Sequence, residues 1–239
     1  EMNGWLHYGG GLELWRELYD EFNLIPFAGG NTGVQMAGWF NREINSMEDI
    51  KGLKMRIPGL GGDVITRAGG VSVTISGGEL YTAMQTGVID ALGWVSPYND
   101  IALGFHQVAK YYYYPGWHEP GPTLELIINK DAYATLPSDL QAIVETAARA
   151  VNQDMLDEYT ARNNEALISL VETHGVQLRK LPDEVIAELR SISMDMFDEL
   201  ANDSDIAKRI ADSVKSFQQQ ATAYHEISEE AYYNARKQN

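Results

Sequence analysis

The chain has 239 residues, 44% of them hydrophobic, enough to bury one large core or two smaller ones. Eighteen Lys and Arg stand against 34 Asp and Glu, a formal net charge of -16 that opposes binding to nucleic acid and anionic membranes, so an anionic ligand needs a local cationic site. Cysteine is absent, which excludes disulfides, thiolate metal sites and thiolate nucleophiles without identifying a compartment, and no stretch reaches the roughly 18 apolar residues of a membrane span.

The first residues show no signal-peptide pattern, running from Glu1 through Trp5 and Tyr8 into a glycine turn, so the chain reads as mature, trimmed or incomplete at its start. Leu12, Leu14, Trp15, Leu18, Tyr19 and Phe22, many of them three and four apart, predict an amphipathic helix. Residues 24–27 predict a short strand entering a glycine-rich loop at Gly29, Gly30 and Gly33. A glycine loop before a helix cradles phosphate in some folds, but neither GxGxxG nor GK[ST] occurs here, and phosphate binding is not expected. Residues 35–40 read as extended, and Ser46 caps a short helix with Glu48 and Asp49 in its first turn.

The most informative stretch is 51–59. Leu53, Met55 and Ile57 alternate with Lys54 and Arg56, the period-2 pattern of a strand, and Pro58-Gly59 stops it with Arg56 at its carboxyl end. In open α/β sheets that end faces the ligand crevice. A planar guanidinium there holds a carboxylate through two parallel hydrogen bonds. The strand alone fits a solvated or ion-paired surface arginine equally well.

Helices follow at 61–68 and 78–86, each closed by glycine, with strands at 71–75 and 88–92. Repeated short strands and helices punctuated by glycine indicate an α/β fold. Trp94 reads as a ligand-site wall or as core, and Tyr98 and Asn99 in the same loop as ligand hydrogen-bonders or β-turn residues. Residues 108–114 are extended, with alternate rings of Tyr111–Tyr114 expected buried, and 115–122 form a rigid loop. His118 beside Glu119 suggests a metal or acid/base pair, although neighbours in a Pro-bounded loop point apart. A buried strand is expected at 123–129 and one helix at 139–174, roughly 50 Å at ~1.5 Å per residue. A brief strand at 176–178 precedes helices at 183–202 and 204–237.

Four motifs in order, KGLKMRIPG from Lys51, ELYTAMQTGVIDA from Glu79, GWVSPYND from Gly93 and YYYYPGWHEPGP from Tyr111, followed by a strand and a very long helix, carry a family resemblance. Across essentially its whole length the chain resembles the DctP-like extracytoplasmic solute-binding proteins of TRAP transporters, in the branch that binds 2-oxo and 2-hydroxy monocarboxylates. The resemblance implies an α/β, two-lobed periplasmic-binding-protein fold with crossing strands and a long helix spanning both lobes. It divides the chain into the remainder of the first lobe at 1–33, the second lobe at 34–119, a return to the first lobe with the start of the long helix at 120–160, and the end of that helix with C-terminal helices on the second lobe at 161–239. It also implies that initial β-α units of the family are missing, leaving a sheet edge prone to aggregation.

The resemblance implies a periplasmic receptor, and no enzyme, that captures a small 2-oxo monocarboxylate such as pyruvate or a branched 2-oxo acid and delivers it to TRAP transporter membrane subunits. Carried over by position, Arg56 pairs with the carboxylate and Gln35 and Trp94 adjoin the substrate, with Tyr98 and Asn99 as the candidate hydrogen-bonders read above from their loop. A cation, sodium or calcium, bridges to the ligand from Gln35, the Trp94 carbonyl and Glu119. Gly93 departs from the pattern, which has an acid there, so one cation ligand is lost or replaced by water. Hard cations prefer oxygen ligands, and with a monovalent ion the charges of Glu119, Arg56, cation and substrate balance without that acid. The alternatives are a 2-hydroxy acid such as lactate, a longer organic acid bound without a cation in a pocket enlarged at Gly93, a sensor coupled to a signalling partner, and a metal-assisted enzyme using His118 and Glu119. The chain from Ala201 is long and amphipathic, suited to exchange between two copies in a homodimer.

Overall fold

The computed structural model describes residues 1–237; the last two residues of the expected C-terminal segment, Gln238 and Asn239, lie outside the described residues. In chain order the elements are α1 (Met2–Tyr8), α2 (Gly11–Asp20), β1 (Leu24–Asn31), β2 (Gly38–Phe40), β3 (Lys54–Arg56), α3 (Gly59–Arg67), β4 (Val71–Val73), α4 (Leu80–Gln85) and β5 (Ala91–Leu92). There follow α5 (Pro97–Ala102), β6 (Tyr111–Tyr114), β7 (Thr123–Asn129), α6 (Lys130–Ala134), α7 (Ser138–Ile168), β8 (Gln177–Lys180), α8 (Asp183–Leu200), α9 (Asp205–Ile227) and α10 (Glu229–Arg236). Short 3₁₀ turns lie at Met47–Ile50, Gly77–Glu79 and Phe105–Gln107, and a π-helical turn, Ser169–Thr173, ends α7.

The chain divides into two compact units, one of Glu1–Gly29, Thr123–Asn152 and the residues from Phe197 onward, the other of Gly30–Pro122 and Gln153–Met196. The second unit is organised on a six-stranded sheet in the order β4-β3-β5-β2-β6-β8. β3 runs parallel to both its neighbours, with Arg56 opposite Val73 on one side and Leu92 on the other. β2 is antiparallel to β5 and β6, and β6 is parallel to β8. Successive residues divide between two apolar clusters: Phe40, Ala91 and Tyr113 join one with Met55, Val185 and Leu189, while Trp39, Leu92 and Tyr112 join the other with Phe105 and Leu170. The sheet is therefore covered on both faces.

That double cover corrects the expectation for the tyrosine run. Tyr112 and Tyr113 are adjacent and both buried, at 0% and 2% exposure, because β6 is an interior strand between β2 and β8. Tyr112 stacks on Trp39 with centroids 4.0 Å apart, and the Tyr113 hydroxyl accepts from the Ile44 N–H at 2.9 Å on the opposite face.

In the first unit, α1 occupies the residues ahead of the glycine turn, burying Leu6 and sending the Trp5 indole N–H to Ser213 Oγ at 3.0 Å. β1 continues through Gly29 and Gly30, read above as loop, because a Cβ on Gly29 would stand 3.3 Å from Leu126 Cβ; glycine lets β7 approach. β7 is a strand as expected but not a buried one: it pairs with β1 in a two-stranded sheet and leaves Leu124, Leu126 and Ile127 exposed. Of the C-terminal helices expected on the second lobe, α8 belongs to the second unit as far as Met196, whereas α9 and α10 belong to this first unit. α9 presents Arg209 to Glu17 on α2 in a fork of 2.6 and 2.8 Å and Phe217 to Gly4 and Gly9, so its apolar and charged faces both match this unit. The expected single C-terminal helix breaks at Ser228 into α9 and α10. Among the described residues no helix is long and apolar enough to cross a membrane.

Candidate carboxylate-binding site

Arg56 ends β3, flanked by two parallel strands whose following residues supply backbone acceptors. Its Nε donates to the Ile75 carbonyl at 3.3 Å beyond β4, and Nη1 donates to the Gly93 carbonyl at 2.9 Å beyond β5. The guanidinium lies over the Trp94 ring, 5.2 Å from its centroid, leaving Nη2 without a hydrogen bond among the described residues. Partial burial lowers the pKa of the group and the Glu119 charge acts against that shift; a guanidinium nevertheless stays charged. The site therefore contains an oriented cation with one donor edge free.

Trp94 is fixed on its far side by the edge of Phe105, at 6.4 Å between centroids, and by Gly77, where a Cβ would stand 2.7 Å from the indole. Backbone bonds draw three separated segments together. The Gln35 N–H donates to the Glu119 carbonyl at 3.1 Å and the Met36 N–H to the Val95 carbonyl at 3.0 Å. Gly116 makes this approach possible, since a Cβ there would fall 2.1 Å from the Gln35 carbonyl oxygen. Burial raises the Glu119 carboxyl, while a bond from Gln35 and the charge of Arg56 pull it down. The Gln35 amide nitrogen donates to Thr32 Oγ1 at 3.4 Å, but its amide oxygen is buried and has no partner.

The turn bearing Trp94 is braced from beneath by Asp100. Its carboxylate receives Trp39 Nε1–H at 2.9 Å, the Tyr112 hydroxyl at 2.8 Å and the Val95 N–H at 3.2 Å, with a further bond from the Ser96 backbone. Full burial nevertheless pushes its pKa up to about 6. Asp100 was not anticipated as a structural anchor. Ser96 as N-cap and Pro97 as the first residue of α5 were the available signals, and α5 stands where a ligand loop or β-turn was expected.

Of the expected contacts, Arg56, Gln35, Gly93, Trp94 and Glu119 come together. Tyr98 and Asn99 are joined to this cluster by no hydrogen bond among the described residues. The Tyr98 N–H donates to Asn163 at 3.0 Å, its hydroxyl to Glu158 at 3.3 Å, and its ring meets Tyr159 and Arg162, all residues of α7. Asn99 keeps a buried, unpartnered Oδ1. His118, which was weighed only as half of a metal or acid/base pair, packs against Trp117 and faces Gly93, and burial lowers its pKa to about 4, leaving the imidazole neutral near pH 7.

The donor set suits a hard cation. Gln35 offers an orphaned buried oxygen, Glu119 a carboxylate and Trp94 a backbone carbonyl, all oxygen ligands, while Gly93 offers no side chain. Among the described residues no three or more His, Cys, Asp and Glu gather, which leaves His118 and Glu119 short of a transition-metal centre built from such ligands.

Arg56 thus stands at the carboxyl end of its strand, the place where open α/β sheets take their ligands. The chain belongs to the DctP family, described as bacterial extracellular solute-binding protein, family 7, whose pattern matches residues 5–204. It is 44% identical over 234 residues to a monocarboxylate 2-oxoacid-binding periplasmic protein of Nostoc sp., covering 98% of this chain and 64% of that protein, so it spans less than two thirds of that relative. A TRAP periplasmic solute-binding protein of Colwellia psychrerythraea, solved with calcium and pyruvate, matches with a TM-score of 0.95 and 41% identity over 98% of this chain and 71% of its own. One from Pseudoalteromonas atlantica, solved with sodium and pyruvate, matches with a TM-score of 0.93 and 41% identity over the same shares.

Proposed function

We propose that the protein is a periplasmic receptor for a small 2-oxo monocarboxylate, pyruvate or a branched 2-oxo acid, which it hands to the membrane subunits of a TRAP-type transporter. The observation that carries this reading is the Arg56 guanidinium, held by two carbonyls and the Trp94 face with a donor edge unspent. Arg56 takes the carboxylate, Trp94 lines the site, and Tyr98 and Asn99 border it from α5. A sodium or calcium ion held by Gln35, the Trp94 carbonyl and Glu119 supplies positive charge for the ligand oxygens. The orphaned Gln35 oxygen supports that assignment. Binding requires no covalent step, and the acid is released unchanged. The protein works as a homodimer in which the C-terminal helices, with exposed Tyr224, Ile227, Tyr232 and Tyr233, meet a second copy.

Calorimetry of the whole protein with pyruvate, 4-methyl-2-oxopentanoate and lactate tests the reading. Binding of a 2-oxo acid in preference to lactate, weakened when sodium and calcium are removed by dialysis, is the expected result. No binding of any of the three acids overturns the receptor assignment, and affinity indifferent to both ions overturns the cation.

A further inference from the structure

We propose that His118 is a ligand-binding residue, donating from Nε2 to an oxygen of the bound acid on the side of the site that Gly93 leaves open. The ligand class rests on the receptor function proposed above. The assignment to His118 rests on three features of its surroundings.

First, the two ring nitrogens are in different positions. Nδ1 is buried and meets no partner, whereas Nε2 lies 3.4 Å from where a Cβ on Gly93 would stand. Neither nitrogen makes a hydrogen bond among the described residues. Second, Gly93 is not required by sterics. Its imagined Cβ would sit 3.8 Å from His118 Cε1 and 3.9 Å from the Arg56 carbonyl oxygen, ordinary contact distances, and its φ lies outside the left-handed region. Gly38 and Gly116, by contrast, would each drive a Cβ to within 2.2 Å of a backbone oxygen. Glycine at 93 therefore leaves space that a side chain would fill. Third, the Gly93 carbonyl is the atom that receives Arg56 Nη1 at 2.9 Å, so the guanidinium and the imidazole edge flank the same residue.

An N–H confined to Nδ1 would be an orphaned buried donor, rarer in proteins than an orphaned acceptor, whereas Nε2 faces the space, so the N–H that a ligand meets belongs on Nε2. Arg56 has already given Nε and Nη1 to carbonyls, which leaves only its Nη2 edge for a ligand. An entering carboxylate or oxo oxygen needs a further donor, and Nε2–H provides one at the open side of residue 93.

The test compares His118→Phe, which keeps ring volume and removes the donor, with His118→Gln, which keeps an N–H of similar reach, and Gly93→Val, which fills the space and leaves His118 in place. Calorimetry with pyruvate on the full protein is expected to show at least about tenfold weaker binding for His118→Phe and for Gly93→Val, and His118→Gln within about threefold of wild type. Unaltered melting temperatures in the absence of ligand confirm that the variants fold. Should His118→Phe not fold, the ¹⁵N resonance of His118 Nε2 in the wild type decides, expected to move on addition of pyruvate. Undiminished affinity in His118→Phe, or an unmoved resonance on saturation, overturns this assignment alone. A wild type that binds none of the 2-oxo acids overturns the receptor reading and with it the ligand named here.

Discussion

Arg56 is held by carbonyl oxygens rather than by a salt bridge among the described residues, so its charge is aimed without being neutralised. Lysine carries the same charge but lacks the planar fork that reaches Ile75, Gly93 and a third acceptor together. Arg56→Lys is therefore expected to weaken 2-oxo acid binding by roughly tenfold or more and Arg56→Ala by roughly a hundredfold or more, read by calorimetry, with melting temperatures close to wild type. Equal affinities for wild type and Arg56→Ala would remove Arg56 from the site. Asp100 makes the opposite case, a charge wholly committed to structure. Its folded pKa of about 6 stands above the ordinary 3.8, so the folded state binds the proton more tightly. That contribution to stability is complete below pH 3.8 and is lost as pH rises through about 6. Denaturant unfolding between pH 4 and 6.5 is expected to show this decline in the wild type and its absence in Asp100→Asn. The variant is also less stable throughout, since an amide turned into that pocket faces donors with a donor. An identical pH slope in both proteins would place the titration elsewhere. Arg56 was legible from the alternation of 53–57 and the Pro-Gly stop, but its carbonyl partners, just beyond β4 and β5, are 19 and 37 residues away, which no local pattern encodes.

At the scale of elements, period and punctuation located most strands and helices, and they failed where cover or close approach decides. The tyrosine run carried the period-2 expectation of one buried face, yet β6 has partners on both edges and apolar clusters on both faces. Gly29 and Gly30 read as a loop because glycine weakens strands; here the missing Cβ is what allows β1 and β7 to meet. α5 is six residues long, too short for a periodic signal, and only Ser96-Pro97 marked its start. Glycines that looked alike in the sequence differ sharply in what they tolerate. Gly38 combines φ of +128° with a Cβ position 2.2 Å from the Leu92 carbonyl oxygen across the β2–β5 pairing. Gly38→Ala is expected to cost about 3 kcal/mol or more, and Gly93→Ala under about 1 kcal/mol. Urea unfolding of the two variants beside wild type measures both, and equal losses would mean that the strand at 38 shifts to absorb the methyl group.

The whole molecule sets limits that neither residue nor element reveals. The apolar run of β7 announced a strand, but burial depends on what lies against its faces, and its own residues do not specify that; Leu124, Leu126 and Ile127 are exposed. Helix α9 likewise showed its amphipathicity in sequence but not which unit would receive it, which the Arg209–Glu17 fork and the Phe217 contacts decide. Net charge is legible from composition alone, and it has a kinetic consequence. A formal charge of -16 repels an approaching carboxylate over distances at which Arg56 is one charge among many. The Debye length falls from roughly 30 Å at 0.01 M salt to about 8 Å at 0.15 M, so added salt screens the distant acids while leaving the short-range bonds of the site largely intact. Stopped-flow association of a 2-oxo acid is therefore expected to accelerate several-fold over that range. The salt should be tetramethylammonium chloride at fixed sodium and calcium, because its bulky cation does not occupy an oxygen-lined site. Dissociation rates are expected to change little. An association rate that instead falls with salt would mean that the field at the mouth of the site is positive, set by Arg56 and a bound cation against the charge of the whole chain.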